Sequence, residues 1–203
     1  MMRVVLIIMY RSTPTPSPSP QHTMGKINEL IQELVQFTYA LGFFSELIIS
    51  IIVIYVLSNQ IYFHALYLLG FVAGVYFNRW LKEQLHDPRP DHPIKFLAAE
   101  KFKTSKTQNF YGMPSGHSQQ VAYSVAFLYA CMGHWNMWLN MCVIVGVLMV
   151  LERWLFRNHT ALQLFVGLWV GVAFAGFVLA LGTWSPLAPV HRALDAWGEH
   201  GFF

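Results

Sequence analysis

The sequence predicts an all-α protein, an integral membrane helical bundle of about five transmembrane helices preceded by an N-terminal interfacial helix. Two observations carry this reading. Of the 203 residues, 55% are hydrophobic and only 11% are charged, whereas soluble domains carry roughly 25% charge. The apolar residues also gather into runs of about 20, the length a helix needs to cross a ~30 Å hydrocarbon core. Such a composition excludes a disordered tail, and it makes the bilayer most of the protein's solvent. A formal charge of +3, from 13 Lys+Arg against 10 Asp+Glu, is too small for a nucleic-acid surface, and the basic residues concentrate between positions 79 and 106 instead of along one face. Cys131 and Cys142 both sit in apolar runs without metal-ligand spacing, so they read as buried thiols.

Taken in order, residues 1–25 read as a disordered leader. Its apolar stretch, 4–10, is too short to span, and residues 12–21 alternate Pro with Ser and Thr, which favours extended backbone over a packed core. From there, Ile27, Leu30, Ile31, Leu34 and Phe37 recur at helical spacing opposite Asn28, Glu29, Gln32, Glu33 and Gln36, the pattern of a helix lying at an interface. Five spans follow, at about 40–58, 61–81, 114–133, 135–156 and 160–182. Glu46, near the start of the first, reads as a carboxylate snorkelling to the headgroups and is left out of the site. Gly70/Gly74 and Gly167/Gly171 have the small-xxx-small spacing that lets spanning helices approach closely. The membrane domain is thus 26–185, followed by a short tail, 186–203.

One connection is long. Residues 82–113 are polar and hold Lys82, Arg89, Lys95, Lys101, Lys103 and Lys106, and long connections inside compact domains are usually functional or disordered. Helix parity then constrains the site. If the second span ends near Lys82, the third begins on that same side near Pro114, the fourth returns there at Arg153, and the fifth leaves from His159. Three polar clusters far apart in sequence are brought to one membrane face.

Their contents suit a phosphoryl group. Lys82, Arg89 and Arg153 supply a point charge and two planar forks for phosphate oxygens. Pro114-Ser115-Gly116 stands before a helix, whose start offers unpaired N–H groups and a positive dipole end. Of two histidines, His117 and His159, one can attack phosphorus as neutral imidazole while the other, protonated, donates to the departing oxygen. Gln163 lies four residues after His159, hence on the same face if the segment is helical there, and its amide oxygen can then hold the imidazole N–H, fixing the tautomer. His86, Asp87, Asp91 and His92 lie in a proline-rich turn and match no standard metal spacing, so no metal or other cofactor is expected.

Lys82 followed after six residues by Arg89-Pro90, then Pro114-Ser115-Gly116-His117, then Arg153 followed after five residues by His159, resembles the three-part signature of the type 2 phosphatidic acid phosphatase (PAP2) superfamily over about 40–182. Through Tyr111-Gly112-Met113, His117-Ser118-Gln119, His159-Thr160 and Gln163, the chain is most similar to dolichyl diphosphate phosphatases. The resemblance implies a PAP2-like membrane fold and metal-independent hydrolysis of dolichyl diphosphate to dolichyl phosphate through a phosphohistidine. By motif position it implies His159 as nucleophile and His117 as acid. It also implies that Lys82, Arg89, Arg153 and the Ser115 and Gly116 backbone hold the phosphoryl oxygens. Two positions depart from the general pattern: Gln163 stands where most members have Asp, and Glu152 stands where Ser usually precedes the third-motif Arg. A carboxylate at 152 repels substrate unless it is paired with Arg153 or Arg157, or turned away.

The expected partners are a polyprenyl diphosphate substrate and membrane lipids, with no nucleic acid. The alternatives are a phosphatase of another lipid phosphate, such as phosphatidate or undecaprenyl diphosphate, and a non-catalytic lipid-phosphate-binding scaffold of the same fold. The resemblance implies the endoplasmic reticulum with a lumenal site, whereas the clustering of Lys and Arg on the site's side favours the cytosol.

Overall fold

The computed structural model describes residues 21–91, 94 and 111–184, and these form six helices. They are α1 (Gln21–Phe43), α2 (Ser45–Val56), α3 (Ile61–Leu85), α4 (Gly116–Met132), α5 (Met137–Leu155) and α6 (Ala161–Gly182). The chain divides into two compact units between Tyr39 and Ala40. Helix α1 starts directly after Pro20, inside the stretch expected as leader, because beyond that residue no proline removes a helical N–H. In the first unit Leu30, Leu34 and Phe37 are exposed on this helix, the apolar stripe anticipated from its spacing.

In the second unit α4 is the centre, packed against α2, α3, α5 and α6. A helix enclosed by protein can carry polar side chains where they find partners, and α4 buries Ser118, Gln119, Gln120 and Ser124, of which Ser118 Oγ and Gln120 Oε1 make no hydrogen bond. Gln119 Nε2 donates to Gly74 O (2.9 Å) and its Oε1 accepts from Asn78 Nδ2 (2.8 Å). Gln120 Nε2 donates to Phe71 O (3.2 Å), and the Tyr123 hydroxyl donates to Tyr67 O (3.0 Å). The outward surface is the inverse of a soluble protein's: Leu69, Tyr76, Ile144 and Trp169 are all exposed, as bilayer contact requires.

All five expected spans are helical. Among the described residues α3, α5 and α6 are each long and apolar enough to cross a membrane. Helix α2, with 12 residues, reaches that length only when joined with 29–43 across the break at Phe44. Helix α4, with 17 residues, falls short in length, and its buried face is polar. The glycine pairs act as their spacing foretells. A Cβ on Gly167 would stand 2.6 Å from Ser115 O, and one on Gly171 would collide with Gln119 O, so α6 can lie directly against the α4 backbone only with glycine there. Gly70 and Gly74 face Tyr123 and Gln120 in the same way. Of the two cysteines, Cys142 is buried and Cys131 half-buried.

Candidate active site

Three helix ends build the site. The first is the end of α3. His86 takes a left-handed conformation (φ 50°) and its N–H donates to Lys82 O (3.1 Å), which stops the helix and turns the chain into Asp87-Pro88-Arg89. Lys82 is buried on the last turn of α3, whereas Arg89 is exposed on the turn beyond it.

The second is the start of α4. Ser115 is its N-cap, with Oγ accepting from Ser118 N–H. The N–H of Ser115 itself donates to Gln163 O (3.0 Å). The Ser115 backbone N–H expected to serve an anion is therefore engaged, as is its hydroxyl, and the N–H groups at the helix start that face a phosphate are those of Gly116 and His117. The turn is also tied to α3, since Asn78 Nδ2 donates to Pro114 O (3.3 Å).

The third is the α5–α6 connection. The N–H groups of Asn158 and His159 both donate to Arg153 O (3.0 and 3.2 Å). Thr160 then caps α6 in a capping box with Gln163. This geometry fixes the Gln163 amide without ambiguity. Its Oε1 accepts from the backbone N–H of Thr160 (3.2 Å), a group that can only donate, and its Nε2 donates to Asp87 Oδ2 (2.6 Å) and Pro88 O (2.8 Å). The same oxygen lies 3.1 Å from His159 Nδ1, so that nitrogen carries the proton and Nε2 keeps its lone pair. Gly112 passes across the amide: a Cβ there would collide with Gln163, and its N–H donates to Asp87 O (2.6 Å).

His159 is buried and surrounded by cations. Burial first, then Arg89 and Lys82, and more weakly Arg153, push its pKa down to about 3, against a small opposing effect of the Gln163 bond. Its imidazole is therefore neutral at physiological pH. His117 lies within electrostatic reach of Arg153, His159, Arg89 and Lys82, so the three clusters that parity brings to one face do meet around one point.

Arg153 is held on three sides. Its Nη2 is 3.1 Å from His117 Nε2, its Nε is 3.0 Å from Glu152 Oε2, and its guanidinium lies 5.6 Å over the Phe43 ring. Glu152 is fully buried, with Asn158 Nδ2 donating to its Oε1 (3.4 Å) and Gly42 packed against its stem. This resolves the unusual carboxylate: it is paired with Arg153, the first of the arrangements that spare a phosphate its repulsion.

Glu46, expected to snorkel to the headgroups, is half-buried and places its Oε1 3.6 Å from His117 Nδ1. Parity already contained the signal, because the start of the first span falls on the same face as the end of the second. Asp87 was missed as well, and nothing in its local spacing singles it out. Lys95, Lys101, Lys103, Lys106 and His92 lie outside the described residues. Among the described residues no three His, Cys, Asp or Glu side chains gather as a metal site.

A family model described as the PAP2 superfamily matches residues 63–186. Among solved structures, the chain is similar in fold to the crystal structure described as the first transmembrane PAP2 type phosphatidylglycerolphosphate phosphatase from Bacillus subtilis. The TM-score is 0.55 and the identity 21%, covering 75% of this chain and 76% of that one. No curated protein sequence matches.

Proposed function

This chain belongs to the PAP2 superfamily, and from that premise of lipid-phosphate hydrolysis in a membrane we propose that its substrate is a polyprenyl diphosphate of the dolichyl type. The product is the lipid monophosphate, returned to the glycosylation cycle at the lumenal face of the endoplasmic reticulum. The observation that carries the chemistry is the bond between His159 Nδ1 and Gln163 Oε1 (3.1 Å). It leaves Nε2 of a neutral imidazole free to attack beside Lys82, Arg89 and Arg153.

In the first step His159 Nε2 attacks the terminal phosphorus and the P–O bond to the bridging oxygen breaks. His117, which takes a second proton on Nε2 when the phosphate draws Arg153 away from that nitrogen, gives it to the bridging oxygen, and the lipid monophosphate departs. Lys82, Arg89, Arg153 and the N–H groups of Gly116 and His117 hold the equatorial oxygens, where charge is spread in a loose transition state. In the second step His117, now neutral, takes a proton from water as the water attacks the phosphohistidine. Inorganic phosphate leaves and His159 is restored.

The motifs read phosphate and not tail, so a phosphatase of another lipid phosphate is the alternative within the family. Against the scaffold alternative, for which the departures at Glu152 and Gln163 would speak, the buried pair with Arg153 supports a structural role for Glu152. Phosphate release by the detergent-solubilised protein, measured on dolichyl diphosphate and phosphatidate in parallel with EDTA present, tests the proposal. Preferential turnover of the diphosphate that vanishes in His159→Ala supports it. Preference for phosphatidate overturns the substrate, and no turnover by folded protein overturns the enzyme.

A further inference from the structure

We propose that Asp87 is a positioning residue for His159, acting through the Gln163 side chain as an amide relay. The inference rests on His159 being the nucleophile of the proposed reaction, and it joins that histidine to Asp87, a residue of the first motif's loop that the three-part signature leaves unspecified.

The PAP2 pattern places a carboxylate on the histidine, and Gln163 cannot replace its charge. An amide is a two-ended dipole, however, with an acceptor at one end and donors at the other. Here both ends are engaged in one sense. His159 Nδ1–H donates to Oε1 (3.1 Å), and Nε2 donates to Asp87 Oδ2 (2.6 Å). A negative charge at the Nε2 end polarises the amide, so that Oε1 becomes a stronger acceptor for the imidazole proton. Chains of hydrogen bonds strengthen one another in this way in a low-dielectric interior. As the Nε2–P bond forms on the other side of the ring, positive charge develops on the imidazole. The relay places the Asp87 carboxylate in line with it at one remove.

The surroundings allow this and little else. Gln163 is fully buried, and its amide cannot flip, because Oε1 also accepts from Thr160 N–H and Nε2 also donates to Pro88 O. Gly112 lies against the amide where a Cβ would collide with it. Asp87 is held in turn by its own carbonyl, which accepts from Gly112 N–H, and by the bridge between Pro88 and Tyr111. The residue that replaces the usual aspartate is thus fastened at both ends, and the aspartate it reaches comes from the first motif's loop.

A merely structural Asp87 would tie the loop to α6 equally well as an amide, and this separates the two roles. Asp87→Asn keeps an acceptor for Gln163 Nε2 but removes the charge. It is expected to lower kcat on the lipid phosphate by about 10–100-fold, the scale of orienting partners of histidine, with KM within twofold and melting temperature unchanged. Combining Asp87→Asn with Gln163→Glu puts a carboxylate directly on His159 and is expected to recover at least tenfold of the loss. Gln163→Glu alone sets two carboxylates against each other beside Asp87 and is expected to remain impaired.

An activity-independent measurement accompanies these. In protein labelled with 15N-histidine, the His159 Nδ1–H proton should resonate downfield in the wild type and move upfield in Asp87→Asn. Wild-type kcat retained within twofold in Asp87→Asn, or an unmoved Nδ1–H resonance, overturns the relay. If the wild type turns over no lipid phosphate, the proposed function fails, and the resonance still decides whether Asp87 acts on His159.

Discussion

The Nδ1 atom of His117 lies 3.6 Å from Glu46 Oε1, while its Nε2 lies 3.1 Å from Arg153 Nη2. A guanidinium only donates. Nε2 therefore accepts from Arg153, and the ring proton sits on Nδ1, facing the carboxylate. Glu46 is in the first turn of α2 and stands to His117 much as the Asp87–Gln163 pair stands to His159. Glu46→Gln removes the charge and keeps the shape, and it is expected to lower kcat about tenfold, the lower end of what orienting partners of a histidine contribute. Steady-state kinetics check this: the loss should fall on kcat, with KM preserved.

Glu152 and Arg153 form a pair with both partners buried. Removing one member of such a pair leaves an uncompensated charge inside the protein, at a cost of about 3–5 kcal/mol. Glu152→Ala is expected to lower the melting temperature in detergent. It should also raise KM for the lipid phosphate, because Arg153 loses the contact that aims its guanidinium. A variant equal to wild type in both would show that the pair neither stabilises nor orients.

Two glycines of α6 should respond in opposite ways to the same substitution. Gly167→Ala brings a methyl within 2.6 Å of Ser115 O and 3.2 Å of Ser115 N, both backbone atoms. The turn that starts α4 must shift, with an overpacking cost of about 1–3 kcal/mol and weaker phosphate binding at Gly116 and His117. Gly176→Ala meets nothing within 4 Å and is expected to leave melting temperature and KM unchanged. Thermal unfolding of the two variants side by side makes the comparison.

His159 titrates low because burial and the cations Arg89 and Lys82 disfavour its charged form, down to about 3. The unfolded chain, with an ordinary histidine value near 6.5, binds the proton more readily below that pH. The contribution of His159 to stability is therefore complete above about pH 6.5 and is lost as pH falls towards 3. Arg89→Ala removes one of the depressing charges and should move the midpoint upward. Histidine-resolved NMR titration of the wild type and Arg89→Ala reads both values. A wild-type midpoint near 6.5 would contradict the depression of His159 by burial and the neighbouring cations.

Much of the site was legible because helix parity is a strong constraint. Lys82, Pro114, Arg153 and His159 had to share a face once the spans were placed, whereas the bond between Gln163 and His159 was expected for a reason the structure corrects: His159 lies before the N-cap Thr160, and the capping box, not a shared helix face, brings the Gln163 amide to it. Parity applied to the first span would also have placed Glu46 there. Other contacts were out of reach. Which acceptor the second end of the Gln163 amide would find depends on how the Asp87-Pro88 turn folds back, and a turn containing proline encodes no periodicity to read. The engagement of Ser115 N–H by Gln163 O is likewise a tertiary contact between motifs far apart in the chain. The burial of two glutamines on α4 has a similar origin, since Gln119 and Gln120 find their partners on α3.

The most direct test is to trap the covalent intermediate. Protein is mixed with lipid substrate labelled with 32P on its terminal phosphate, quenched in alkali within milliseconds, and digested for mass spectrometry. Label on the peptide that carries His159, absent from His159→Ala, is the predicted result. Turnover that proceeds without protein-bound label, and that survives in His159→Ala, would contradict a nucleophilic role for His159 and with it the mechanism proposed for this site.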